Sequence, residues 1–449
     1  MLLLIAAGVV RAADGDAVWL VRGTASNPDA AERRYAGRLT GKLTGWLADA
    51  GIAHRLVADE DVMQGVPAAV RVLILGYNPH PPAAELRILT GFLDRGGRLI
   101  VFYGADAALA SAMGLRLGEY RPGGDRSRWA QIRFNAAAPP GVPSLIHQHS
   151  RHTRPVTPAR DDAAIIAHWH DAEGRRLAEP AVVRSRHGYW ITHVLLDDAD
   201  LWAKQRMLAA LVADAVPGVW PAAAAAALRR ATGVGPYDGV DAVQAAIRAT
   251  ATPARARLCE THLAEARVRV EQLRQRAAAG EYASVLEDSE ALRRELLTAY
   301  GQAQTPVEAA CRGVWDHAGT GLYPGDWERT CAVLAREGVT DIFSNVLWPG
   351  AAHYPSPVVP GSPVLDALGD QLAPCIEAAH RRGLRVHVWK VCWRLDRASA
   401  ARRAELEKQG RLQVSDTGRT LAWLCPSHPD NLRMEKDAVR DLLRRFLVK

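Results

Sequence analysis

The chain reads as an α/β protein in three parts. An open parallel and mixed sheet spans about residues 14–220. A helical hairpin linker follows over 240–305, and an incomplete (β/α) barrel of the TIM type over 311–449. Three observations predict this. Short apolar runs alternate with amphipathic helical stretches over residues 17–115. A helical tract with polar faces and no strand signal occupies 240–300. Strand–helix units then resume at Arg312.

In the first region, Ala17 to Val21 is a buried strand and Ala30 to Ala50 a helix, with Leu39, Leu43 and Leu47 on one face and Gly51 as its stop. Arg71 to Leu75 and Arg98 to Phe102 are further strands, separated by a helix over Pro82 to Leu93. Strands spaced by helices of this length imply a parallel sheet covered on both faces. From about residue 128 the strands change character. Trp129 to Phe134, Ala163 to Trp169 and Pro180 to Leu196 extend the sheet as mixed strands, and Leu201 to Val216 is an amphipathic helix.

In the helical tract, Leu258, His262, Ala266, Val270 and Leu273 mark one apolar face, and Leu286, Leu292 and Leu296 another, with Gly280 at the turn. In the third region the expected strands are Gly313 to Trp315, Asp341 to Leu347 and Leu384 to Trp393. Helices lie between them, and a last one covers Asn431 to Phe446. The strands end in polar and aromatic residues, as barrel strands facing a site do.

Composition excludes several classes. A hydrophobic fraction of 48% with 23% charged residues is that of a soluble globular protein, not a disordered chain. The net charge of +7 comes from scattered basic residues without a compact recognition motif, so nucleic acid is not an expected partner. No apolar stretch is long enough to span a bilayer. Residues 1–13 read as a secretory signal whose start is shortened, with an apolar run from Leu2 to Val10, small residues at the cleavage spacing and then Asp14-Gly15-Asp16. The alternative is a buried first strand. The signal implies export to the periplasm or the extracellular space. Six cysteines, all after residue 258, fit neither a zinc site nor a redox pair. Cys331, Cys375 and Cys392 fall in apolar patterns and are expected as buried thiols.

The strand order of the first region resembles the class I glutamine-amidotransferase-like fold, including its trehalose-utilisation relatives. The enzymes of that fold need a cysteine on a tight strand-to-helix turn. Here that turn is Phe102-Tyr103-Gly104-Ala105-Asp106, and no cysteine precedes Cys259, so amidotransferase chemistry is excluded. His147, His149 and His152, with His168 and His170, lie near Asp161, Asp162 and Asp171; they read as a polar loop and a strand-edge pair, and no metal or cofactor is expected.

From Arg312 the matching segments are Arg312-Gly-Val-Trp315, Thr340 to Trp348, His353-Tyr-Pro-Ser356, Gly369-Asp-Gln-Leu372, His380 to Trp393 and Trp423 to Pro429. In order and spacing they resemble the glycosyl-hydrolase-like family 10 proteins. That resemblance implies a glycosidase-like barrel acting on a cell-wall or environmental polysaccharide, peptidoglycan included. Sugar sites use flat apolar faces and hydrogen-bonding side chains. The candidates for substrate binding are Asn345 and Trp348 at the end of the second barrel strand, His387, Trp389 and Lys390 along the third, and Trp393 just beyond. Strand alternation puts His387 and Trp389 on one face and Lys390 on the other; core packing is the competing role for the aromatics and for His387.

Glycoside hydrolysis needs two carboxyl groups across the scissile bond. Asp316 is a weak candidate, Asp396 does not pair with it, and Asp341 stands at the beginning of its strand, the stability end of a barrel. The family's acid-bearing strand is expected beyond Lys449. This leaves a gene fragment or frameshift, a complementing chain, or a persistent half-barrel that binds glycan or serves as a scaffold.

Overall fold

A computed structural model describes residues 17–123, 128–305 and 311–446. The expected signal segment, 1–13, lies outside the described residues. The chain divides into two compact units, with the boundary between Thr305 and Pro306.

The first unit opens with β1 (Val18–Arg22), α1 (Ala30–Asp49), β2 (Arg55–Ala58), α2 (Asp59–Met63), β3 (Val72–Leu75), α3 (Ala83–Asp94), β4 (Arg98–Phe102) and α4 (Ala107–Ala112). Side chains start two of these helices. Asp29 accepts from the Glu32 amide and Asp106 from the Leu109 amide, each at 2.8 Å. The short strands β5 (Leu115–Leu117) and β6 (Arg121–Pro122) follow, then β7 (Trp129–Phe134), β8 (Leu145–Ser150), β9 (His152–Thr153), β10 (Val156–Pro158), β11 (Ala164–His170), β12 (Arg176–Ser185) and β13 (Gly188–Ile191). Nine strands form one sheet in the order β2-β1-β3-β4-β13-β12-β11-β7-β8. It is parallel from β2 through β13 and antiparallel from β13 onward.

The single strand expected over Pro180 to Leu196 is a hairpin, β12–β13, that turns at Arg186-His187. Gly188, at φ +119°, makes the joint: a side chain there would collide with the Leu99 carbonyl oxygen of β4. The segment carrying His147, His149 and His152, read as a loop, is strand. Its alternating burial shows the pleat that the polar composition hid.

Alternation along β1 sends Val18 and Leu20 to one side of the sheet and Trp19 and Val21 to the other. The first side packs against α1, α5 (Leu201–Ala215) and α6 (Trp220–Thr232), and the second against α3 and α4. The segment 240–305 forms α7 (Val240–Thr250), α8 (Pro253–Ala278) and α9 (Tyr282–Ala303), three helices that belong to the first unit. Val285 and Leu286 of α9 join the core under the sheet. The buried face of α8 runs through Cys259, Leu263, Ala266, Val270 and Leu273. Leu258, expected on it, is 64% exposed, because the face starts one residue later.

The second unit comprises β14 (Gly313–Asp316), α10 (Trp327–Arg336), β15 (Asp341–Trp348), β16 (Ala351–Ala352), α11 (Pro363–Leu368), α12 (Leu372–Arg381), β17 (Arg385–Lys390), α13 (Ala400–Lys408), β18 (Leu412–Val414), β19 (Thr420–Leu424) and α14 (Pro429–Phe446). β14, β15 and β17 are parallel neighbours with β15 central, and no barrel closes among the described residues. One face of this sheet packs on helices: Ile342, Val314 and Val386 meet Trp327, Cys331 and Cys375. Cys331 and Cys375 are buried as expected, and burial pushes both thiols up. Cys392 is exposed, because β17 ends at Lys390 and not at Trp393.

Candidate functional site

The other face of these three parallel strands carries Trp315 from β14, Asp341, Phe343 and Asn345 from β15, and Arg385, His387 and Trp389 from β17. The parallel register places them in rows: Trp315 beside Phe343 beside His387, and Asn345 beside Trp389. The rings stack across the strands. Trp315 and Phe343 are 4.4 Å apart at 18°, and Phe343 and His387 4.5 Å apart at 13°. Trp389 stands edge-on to Trp315 at 5.2 Å, and His317 edge-on to Trp389 at 4.8 Å. Among the described residues Trp315 is 58% exposed, so these rings form an open surface there.

At the strand-start end of this face, Asp341 is buried and fully engaged. Arg385 donates to both its oxygens at 2.7 Å, His387 Nε2 lies 2.7 Å from Oδ1, and the Thr340 hydroxyl donates to Oδ2. The Arg385 contacts, then those of Thr340 and His387, hold its carboxyl far below the usual range. His387 is thereby oriented by Asp341, with one side of its ring against Phe343. At the other end, Asn345 is buried and its Oδ1 has no hydrogen-bond partner among the described residues.

The remaining sequence candidates lie elsewhere. Trp348 is 3% exposed, packed near His353 and under Arg397, and offers no platform. Lys390 points to the helix side, where it pairs with Glu435 of α14; both are nearly buried. Trp393 sits past the strand at φ +67° and packs on the cluster of Leu395, Leu406 and Leu424. Asp316 accepts from the Gly319 and Gly321 amides at 3.0 Å and from Ser344 at 3.3 Å, so it folds its own loop. Asp396 pairs with Arg394. The structure thus brings together Asn345, His387 and Trp389 of the expected set. His317, which follows the first strand and was expected to reach the same mouth, joins them beside Trp389. The structure adds Trp315 and Phe343, which the period-2 pattern of β14 and β15 contains but strand pairing alone aligns.

No family model matches the chain, and no curated protein matches it. Among solved structures, a ThuA-like protein from Bacteroides uniformis matches at 13% identity and TM-score 0.36, covering 45% of this chain and 91% of that one. Alpha-L-fucosidase isoenzyme 2 from Paenibacillus thiaminolyticus matches at 15% and 0.32, over 44% of this chain and 33% of its own length. A glutamine amidotransferase from Thermotoga maritima matches at 10% and 0.27, over 64% and 98%. Likeness at these scores carries no argument about function. No helix among the described residues is long and apolar enough to cross a membrane.

Proposed function

We propose that this is a glycoside-hydrolase-like protein that acts on a cell-wall or environmental polysaccharide, and that its second unit grips the glycan on the open aromatic face. One observation carries the reading: Trp315, Phe343, His387 and Trp389 form a contiguous ring surface, more than half exposed at Trp315, beside the unpartnered Asn345 Oδ1. Pyranose rings present apolar C–H faces to such surfaces and hydroxyls to such acceptors. Hydrolysis needs a free acid pair. Asp316, Asp341 and Asp396 are each bound to other groups of the protein, so these residues support binding ahead of catalysis.

The test is co-sedimentation of the full chain with insoluble peptidoglycan and plant-type polysaccharides, alongside release of reducing ends. Retention that is lost in Trp389→Ala supports the reading. Equal retention of the folded variant removes the aromatic face from it, and no retention on any glycan removes the reading itself.

A further inference from the structure

The helices α8 and α9 bring three metal-ligating side chains together at the border of their apolar seam. Cys259, Leu263 and Ala266 of α8 are buried in one cluster with Leu292, Leu296 and Ala299 of α9. That packing fixes the two backbones against each other. His262 and Glu265 stand three residues apart on α8 and so share a helix face. Glu295 meets them from α9. His262, read from the sequence as part of the apolar face, is half-buried at its border, and Glu265 is exposed.

One ligand atom from each of the three side chains lies within 4.8 Å of the other two. His262 Nδ1 contacts Glu295 Oε1, and Glu265 also reaches the Glu295 carboxyl. Two carboxyl groups in contact repel unless a proton or a cation lies between them. The neighbours of Glu295 one turn away on α9 are Ala291, Leu292, Thr298 and Ala299, and none carries a charge. On α8 the Arg269 guanidinium acts on Glu295, and its Nε has no hydrogen-bond partner among the described residues. One guanidinium against two carboxylates still leaves a negative surplus beside the imidazole.

The donor set narrows the ion. Magnesium and calcium take oxygen ligands, whereas imidazole together with carboxylate suits zinc and its neighbours. Around a tetrahedral zinc the ligand atoms stand about 3.3 Å apart, each about 2.0 Å from the metal. The His262–Glu295 contact would open slightly and Glu265 draw in, movements that side-chain rotation at a helix surface supplies. We propose that His262, Glu265 and Glu295 bind a divalent ion of the zinc class, with water completing the coordination, and that the ion clips α8 to α9. This site does not depend on the glycan reading of the second unit.

The test uses the full chain with histidine-selective labelling, stripped with EDTA and exchanged into metal-free buffer. Zinc chloride, and separately magnesium chloride, is titrated while the His262 resonance, assigned by its loss in His262→Asn, is followed. Zinc should shift that resonance and saturate in the micromolar range, and magnesium should leave it in place at millimolar concentration. Glu265→Gln, on the exposed face of α8, provides a variant whose folding is not at stake and should weaken the zinc response at least about tenfold. The proposal fails if zinc up to the millimolar range leaves the His262 resonance unmoved, including the case in which zinc is taken up by the exposed thiols of Cys311 and Cys392. It also fails if magnesium matches zinc, or if folded Glu265→Gln responds as strongly as the parent.

Discussion

The imidazole of His387 lies flat against the phenyl ring of Phe343, and its Nε2 reaches past that ring to the buried carboxylate of Asp341. Phe343 and His387 are register partners on neighbouring parallel strands, so the stack follows from strand pairing. The carboxylate is what keeps the imidazole in the row. The surface is therefore built from its strand-start end, and its weak points can be named.

Trp315→Ala should lower glycan retention by roughly two- to tenfold, since an aromatic contact contributes on the order of 0.5–1.5 kcal/mol beyond its area. It should leave the melting temperature almost unchanged, because the ring is largely exposed. Trp348→Ala should do the reverse, destabilising by about 3–5 kcal/mol through a core cavity. Paired binding and denaturation curves separate the two. A Trp315 variant that melts early but still binds would contradict the assignment of that face.

Asp341→Asn should destabilise the second unit near neutral pH, and the difference from the parent should shrink in acid. The native carboxyl sits far below its ordinary value of 3.8, so its contribution is complete above that value and is lost as pH falls toward the folded pKa. Thermal melts across an acidic series, followed by the near-ultraviolet signal, test this. A constant gap at every pH would show that the hydrogen bonds do not depend on ionisation.

Glu85 predicts the opposite slope in the first unit. Burial, then the nearby Asp59, pushes its carboxyl up from 4.5 to about 9. The folded state therefore keeps a proton that the unfolded chain gives up, and stability drains away as pH rises from the lower value through the higher. Glu85→Gln should flatten that decline, with a relative gain on the order of 2 kcal/mol at the alkaline end. Parallel Tm–pH curves for the two proteins would rule the mechanism out.

Lys390 and Glu435 form a nearly buried pair that the sugar-site expectation did not foresee. Removing one partner, as in Glu435→Ala, should cost about 3–5 kcal/mol, whereas exchanging both for apolar residues should be near neutral. A double-mutant cycle reads this directly. A large coupling together with intact glycan retention would confirm that Lys390 serves the packing of α14 and not a ligand.

Local signals carried much of this fold. Trp129 to Phe134 and Arg98 to Phe102 are strands at the residues their patterns predict, and Gly51 follows a helix where a stop was read. What required long-range information was less legible. Nothing around Lys390 announces Glu435, which lies 45 residues away on another element. Asp316 looked available because its acceptors are used by glycine amides that carry no side-chain signature. Trp348 and Trp315 have the same residue type at similar strand positions, yet only packing decides that one is covered and the other open. The histidine-rich strand β8 was masked by its polar composition, since period-2 burial is invisible when both faces carry polar residues.

The joint at Gly188 has a consequence for inheritance. There the sheet changes from parallel to antiparallel, and any Cβ would strike the Leu99 carbonyl. Every amino acid reachable from a glycine codon by one base change carries a Cβ. Missense variation at this codon therefore has no gentle intermediate. The two halves of the sheet are held together by a position that cannot drift step by step, while the strands on either side remain free to exchange one apolar residue for another.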